Sequence, residues 1–306
     1  MSLISIVCPC YNEEAAIPKF MSALRKVMSR SEHEFEVVFV NDGSTDTTFE
    51  VLYKLSSVEP RVRFINLSRN FGKESALTAG IDSCNGDAVI PIDVDLQDPP
   101  ELIIDLIKEW NKGFDVVLAK RKNREGDGFF KKITAYLYYK THNLVSEVKI
   151  PENVGDYRLM SRRVIDAVCA MPENQRFMKG IFSWVGFKTT TLEYERCERV
   201  VGISGFNCRK LWRLALDGLT SFSTFPIRIW FYIGLLIASI SFVYGSIIIF
   251  KTVFFGVDTP GYASIMATIL FLGGVQLIVL GILGEYIGRL YLEVKQRPKY
   301  IIENEY

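Results

Sequence analysis

The stretch "VIPIDVDLQDPPE", residues 89–101, begins as a buried strand and then places Asp93, Asp95 and Asp98 within six positions before Pro99-Pro100. A packed core excludes such a cluster, because an unpaired carboxylate taken out of water is costly or shifts its pKa. A solvated loop takes acids freely, but does not usually continue an apolar strand. Both constraints are met by a strand end that opens into a site. Carboxylates gathered there suit a cation.

Outward from this stretch, the first 120 residues alternate short apolar, β-rich runs with helical patterns. Strands are expected at 3–9, 35–42, 62–68, 87–95 and 114–120, and helices at 14–29, 45–57, 73–83 and 99–111. Continuous apolar runs suit strands covered on both faces of a mainly parallel sheet, and their alternation with helices predicts an α/β doubly wound (Rossmann-like) domain. Ligands of such sheets bind beyond the carboxyl ends of the strands. "CPCYNEE" (8–14), "VNDGSTD" (40–46) and "DVDLQDPPE" (93–101) all fall at those ends. One shared site explains them better than three separate solvated loops.

The formal net charge of +1 gives no pointer to nucleic acid as a partner, and two histidines with six cysteines in no CxxC pattern make zinc improbable. The thiols are expected to be reduced and cytosolic. The first residues meet acids too early for a signal peptide. At the other end, residues 227–250 and 264–286 form two apolar runs, each long enough to cross a bilayer of about 30 Å. Arg209, Lys210, Arg213 and Arg228 precede the pair, and Arg289, Lys295, Arg297 and Lys299 follow it, whereas the connecting loop carries only Lys251 and Asp258. Positive-inside bias puts both termini in the cytoplasm and the short loop outside. Between domain and spans, residues 205–226 read as an amphipathic segment suited to the membrane interface. The expected organisation is therefore a catalytic domain at 1–204, a juxtamembrane segment at 205–226, two transmembrane helices within 227–288, and a cytosolic tail at 289–306.

The chemistry of the motifs follows from their residue types. Asp93 and Asp95 offer the hard oxygens that Mg²⁺ or Mn²⁺ takes, in combination with substrate phosphates and water. Asp42 can accept hydrogen bonds from a base or ribose, while Thr45 or Asp46 caps the helix that follows. Gly72 and Lys73, at another strand-to-helix junction, suit a phosphate; Lys73 reads equally as a solvated helix start. Glu285 is placed to meet Arg289 at i+4.

Taken in order, "SIVCPCYNEE" (5–14), "VVFVNDGSTD" (37–46), "SRNFGKESALTAGI" (68–81), "DVDLQDPPELI" (93–103), "GDYRLMSR" (155–162) and the two C-terminal spans resemble a family 2 glycosyltransferase of GT-A fold. Within it the chain is similar to the polyprenyl-phosphate hexosyltransferases, a group that includes dolichol-phosphate mannose synthases and phage-type bactoprenol glucosyltransferases. The resemblance implies that Pro9, Tyr11, Glu13 and Asp42 contact the nucleoside. It assigns Asp93, Asp95 and Gln97 to metal and diphosphate, Arg121 to the donor phosphates, and Asp156 and Arg158 to the acceptor side, with Arg196 or Arg199 as a further phosphate ligand. Asp156 and Asp95 would be catalytic. A lipid monophosphate is largely dianionic at neutral pH, so it needs no strong base; Asp156 could orient the sugar or acceptor, take a residual proton, or touch the metal.

The expected activity is inverting transfer of glucose from UDP-glucose to undecaprenyl (bactoprenol) phosphate at the cytoplasmic face of the bacterial inner membrane, in O-antigen glucosylation. The sugar, the acceptor and the inversion come from the resemblance, which also implies a flippase and a downstream glucosyltransferase as partners. Another donor (GDP-mannose or a UDP-aminosugar), a membrane-bound nucleotidyltransferase and a non-catalytic nucleotide-binding module are the alternatives. The spans and the interface segment could also support homo-oligomer contacts.

Overall fold

In the computed structural model, the described residues are 1–122, 151, 153–174, 176–195, 225–255 and 261–306. Strands β1 (Leu3–Cys10), β2 (Glu34–Asn41), β3 (Val62–Leu67) and β4 (Ala88–Pro91) alternate with helices α1 (Ile17–Met28), α2 (Thr48–Val58) and α3 (Lys73–Ser83). They are followed by α4 (Leu102–Asn111), β5 (Val116–Arg121), β6 (Val154–Ser161), α5 (Arg162–Cys169), α6 (Met178–Trp184) and β7 (Thr189–Tyr194). The long helices α7 (Phe225–Phe255) and α8 (Tyr262–Val294) and a last strand, β8 (Ile302–Glu305), complete the chain.

The sheet order is β7-β5-β6-β4-β1-β2-β3-β8. Parallel pairing of β1 with β2 and of β2 with β3 builds one half, and β4 then pairs with the other side of β1. The chain thus reverses direction of winding beside β1, which is where an open α/β sheet forms its ligand crevice. The sheet is mainly parallel, as expected, but β6 runs antiparallel to both β4 and β5, and β8 runs antiparallel to β3.

Burial explains the elements. Strand β1 is buried through Ile4, Ile6, Val7 and Cys8, and α1 lays Ile17, Phe20, Met21, Leu24, Val27 and Met28 against the sheet. That i, i+3, i+4, i+7 spacing is a helix with one apolar stripe. Helix α1 starts three residues later than the periodicity suggested, at a proline in its first turn, where the missing N–H costs nothing. Strand β4 is also shorter than its apolar run: after Ile92 donates to Val7, the chain leaves the ladder and Leu96 turns with φ +58°.

The tail is more than a solvated end. Phe64 and Tyr306 exchange backbone hydrogen bonds at 3.0 Å, and their rings stack with centroids 4.7 Å apart. Phe49 and Tyr53 meet the Tyr306 ring edge-on at 5.9 and 5.4 Å. Arg63 pairs with Glu305 at 3.2 Å, and Asn66 donates to Glu303 at 2.7 Å. Upstream, Glu293 in the last turn of α8 accepts the Asn174 N–H at 3.0 and 3.1 Å. Tyr300 donates to Asp82 at 3.0 Å. These contacts tie the end of α8 to the α/β domain.

Helix α8 has 33 residues, about 50 Å at 1.5 Å per residue, and Glu285 pairs with Arg289 at 3.0 Å as the i+4 spacing suggested. Among the described residues, Phe271–Val294 is long and apolar enough to cross a membrane, and none of its most apolar window is buried within the protein. Helix α7, of 31 residues, touches α8. The expected interface segment, 205–226, falls almost wholly outside the described residues.

Removal of Ile302–Tyr306 should lower stability by about 1–3 kcal/mol, through the lost aromatic cluster and cross-strand pairs. Denaturant unfolding of the detergent-solubilised protein measures this; an unchanged midpoint would mean that β8 is no part of the cooperative sheet.

Candidate active site

The loops after β1, β2 and β4 meet where the winding reverses. Those after β1 and β2 are bound to each other: Asn12 accepts the Thr45 N–H at 2.8 Å, Ser44 accepts the Asn12 N–H at 3.0 Å, and Thr48 accepts the Glu13 N–H at 2.9 Å. The N-cap position of α2 falls to Thr47 and not to Thr45 or Asp46, and Asp46 just before it accepts the Thr48 N–H at 3.0 Å. Pro9 lies within β1 and Tyr11 leaves it 46% exposed, so its ring is open to a flat partner.

Asp42 is 3% exposed and accepts the N–H groups of Phe71 and Gly72 at 2.7 and 2.9 Å. Burial lifts its carboxyl above the ordinary value, against those two amides and Arg69. A carboxylate has about four lone-pair sites, so this grip leaves room for a ligand. Its structural effect is to fix the start of α3. Gly43, with φ +62°, allows the close approach: a Cβ there would sit 2.4 Å from the carbonyl carbon of Arg69.

Lys73, the first residue of α3, takes the centre of the site. Its ammonium lies 2.7 Å from Asp93 and 3.1 Å from Asp156, so residues that are far apart in sequence share one cation. Asp93 is one-third exposed and Asp156 one-fifth. Burial raises the Asp93 carboxyl, with Lys73 pulling the other way. Burial also pushes on Asp156, but Lys73, Lys179 and Arg158 outweigh it and hold the group to about 2. Lys73 is opposed by burial and raised by the two acids. Asp156 keeps one oxygen, Oδ1, buried and without a hydrogen-bond partner among the described residues.

The other expected residues separate into those facing this centre and those supporting it. Asp95 is 5% exposed and accepts the Gln97 N–H at 3.1 Å, which sets the turn through Leu96. Arg158 is buried, donates to the Gly155 carbonyl at 2.7 Å and lies over the Phe182 ring at 4.6 Å; burial lowers it to about 10 against the pull of Asp156. Its guanidinium therefore backs Asp156 from the interior. Arg121 ends β5 with its side chain 26% exposed. Arg196 and Arg199 lie outside the described residues.

Glu74, absent from the sequence reading, belongs here too. It accepts the Met178 N–H at 3.2 Å, joining α3 to α6, and burial, reinforced by Asp156, lifts it to about 7. The only sequence signal was its adjacency to Lys73. Among the described residues, no three His, Cys, Asp or Glu side chains converge as a ready-made metal cage. Two carboxylates beside an ammonium, one with an unpartnered oxygen, still fit a Mg²⁺-type ion, which takes one or two carboxylates and leaves its other positions to phosphate and water.

A carboxyl raised from 4.5 to about 7 on folding makes the protein less stable as pH rises through that window, since the native state binds the extra proton. Glu74→Gln should remove this slope and raise the thermal midpoint at about pH 8. Unfolding curves across pH test it; an unaltered slope would place the titration elsewhere.

Comparison with known proteins identifies the family. The sequence model of glycosyl transferase family 2 matches residues 5–169, and that of the GtrB C-terminal hairpin matches residues 225–290. The bactoprenol glucosyl transferase of Shigella phage SfV is 57% identical over 302 residues, 99% of this chain and 98% of the relative. The prophage bactoprenol glucosyl transferase homolog of Escherichia coli K12 is 55% identical over 300 residues, 98% of each chain. Mannosyl-3-phosphoglycerate synthase from Rubrobacter xylanophilus shares the fold at a TM-score of 0.50 and 16% identity, over 71% of both chains. The chain is an enzyme of the family 2 glycosyltransferases, with a GtrB-type C-terminal hairpin.

Proposed function

We propose that the protein transfers glucose from UDP-glucose to undecaprenyl (bactoprenol) phosphate at the cytoplasmic face of the membrane, with inversion at the anomeric carbon and release of UDP. One observation carries the reading: relatives named as bactoprenol glucosyl transferases match this chain over nearly its whole length, hairpin included. The site's chemistry supports it. A dianionic lipid phosphate attacks the anomeric carbon, the bond from that carbon to the UDP oxygen breaks, and negative charge grows on the departing diphosphate. Charge stabilisation is thus the main requirement.

The nucleoside is received by Pro9, Tyr11, Glu13 and Asp42, from the bound loops beyond β1 and β2. Lys73 and Arg121 face the donor phosphates. A divalent cation, Mg²⁺ or Mn²⁺, would be held by Asp93 with Asp95, Gln97 and Asp156 around it, and would neutralise the leaving diphosphate. Asp156, held to about 2, is a weak base; its task is to stay ionised and to orient cation and acceptor. Arg158 lends charge from behind it, and Arg196 or Arg199 receives the lipid phosphate.

Helices α7 and α8 span the inner membrane as a hairpin with a short outer loop, and the basic residues flanking it keep both termini and the α/β domain in the cytoplasm. The polyprenyl tail stays in the bilayer while its phosphate meets the site at headgroup level. Moving the product across and using it would fall to a flippase and a further glucosyltransferase.

The purified full-length protein, given undecaprenyl phosphate and Mg²⁺, should release UDP from UDP-glucose and little product from GDP-mannose or UDP-N-acetylglucosamine. Asp93→Asn should slow turnover by about 100-fold or more. Preference for another sugar would replace the donor, pyrophosphate release from a nucleoside triphosphate would indicate nucleotidyl transfer, and full activity of Asp93→Asn in chelator would overturn the cation's role.

A further inference from the structure

Asp98, the third acid of the opening stretch, meets Tyr194 and Arg121. The Arg121 Nε–H donates to the Tyr194 hydroxyl at 3.3 Å, and that hydroxyl donates to Asp98 Oδ1. Arg121 Nη2 lies 3.8 Å from the same carboxylate. The support is interior and the arginine is not: Asp98 is 4% exposed and Tyr194 7%, against 26% for the Arg121 side chain.

Three further contacts make this arrangement rigid. Arg121 and Tyr194 are register partners at the ends of the parallel strands β5 and β7. The Tyr157 hydroxyl donates to the Pro99 carbonyl at 3.0 Å, holding the residue next to Asp98, and its ring meets Tyr194 edge-on at 6.1 Å. Gly155 lies close as well: a Cβ there would approach Arg121 Nη2 to 3.3 Å. The guanidinium thus has both the Tyr194–Asp98 pair and the backbone leading to Asp156 as near neighbours.

We infer that Tyr194 and Asp98 are positioning residues for Arg121: they hold its Nε edge so that the remaining N–H groups face a phosphate of the nucleotide sugar. The inference rests on the proposed donor reading. A guanidinium grips phosphate with a planar, directional fork. Fixing that fork beforehand removes the ordering cost from the binding step. The work of Asp98 is done through Tyr194, whose hydroxyl donates to it.

The test is a double-mutant cycle on the full-length enzyme, with Arg121→Gln, Tyr194→Phe and their combination, reading KM for UDP-glucose and kcat separately. Tyr194→Phe should raise KM by about tenfold with a thermal midpoint near wild type. In the Arg121→Gln background the same change should add less than about twofold. Asp98→Asn should reproduce the Tyr194→Phe effect on KM and likewise add nothing once Arg121 is gone, which keeps the test available if Tyr194→Phe folds poorly. Equal, additive penalties in both backgrounds would overturn the positioning role while leaving Arg121 at the donor. An unchanged KM in Arg121→Gln would overturn the donor reading and this inference with it.

Discussion

Asp93 and Asp156 can stand together because the Lys73 ammonium lies between them. Two like charges a few ångströms apart at a protein surface repel by about 4 kcal/mol, so the pair persists only while positive charge is supplied. Everything around it serves that requirement. The grip of Asp42 on the Phe71 and Gly72 amides sets where α3 begins, and therefore where Lys73 projects. Arg158 adds charge from the interior. A site with its charges balanced in this way suits the cation and diphosphate proposed for it.

The same economy of placement appears at larger scale. Strand β8 returns the chain to the sheet edge after α8, and Glu293, Tyr300 and Tyr306 fasten the end of that helix to the α/β domain. The α/β domain is consequently fastened to α8 by the tail that follows that helix. For an acceptor whose phosphate stays at headgroup level, a fixed height above the bilayer matters as much as the shape of the site.

Much of this was legible in the sequence, for identifiable reasons. Apolar runs with turn residues between them located β1 to β5, and "DVDLQDPPE" placed Asp93 correctly at a strand end because carboxylates and a buried strand are incompatible. The helix expected at 73–83 has those bounds in the structure, with Gly72 before it and Cys84 extended after it. What was not legible depends on pairing across long separations. Nothing local in "YIIENEY" says that it will join β3, since its short run lies exposed on the sheet edge. Tyr194 and Asp98 meet only because β7 aligns with β5. Lys73 read equally as solvated or phosphate-facing, and its ion pair with Asp156 on β6 could not be read from its own surroundings in the sequence.

The central claim is that the Asp93–Asp156 pair marks a cation site completed by the donor diphosphate. Titration of Mn²⁺ into the full-length protein, followed by electron paramagnetic resonance with and without UDP, addresses it directly. One site that tightens on addition of UDP and is lost in Asp93→Asn is the predicted result. Mn²⁺ binding that is indifferent to both UDP and the Asp93 substitution would contradict the account.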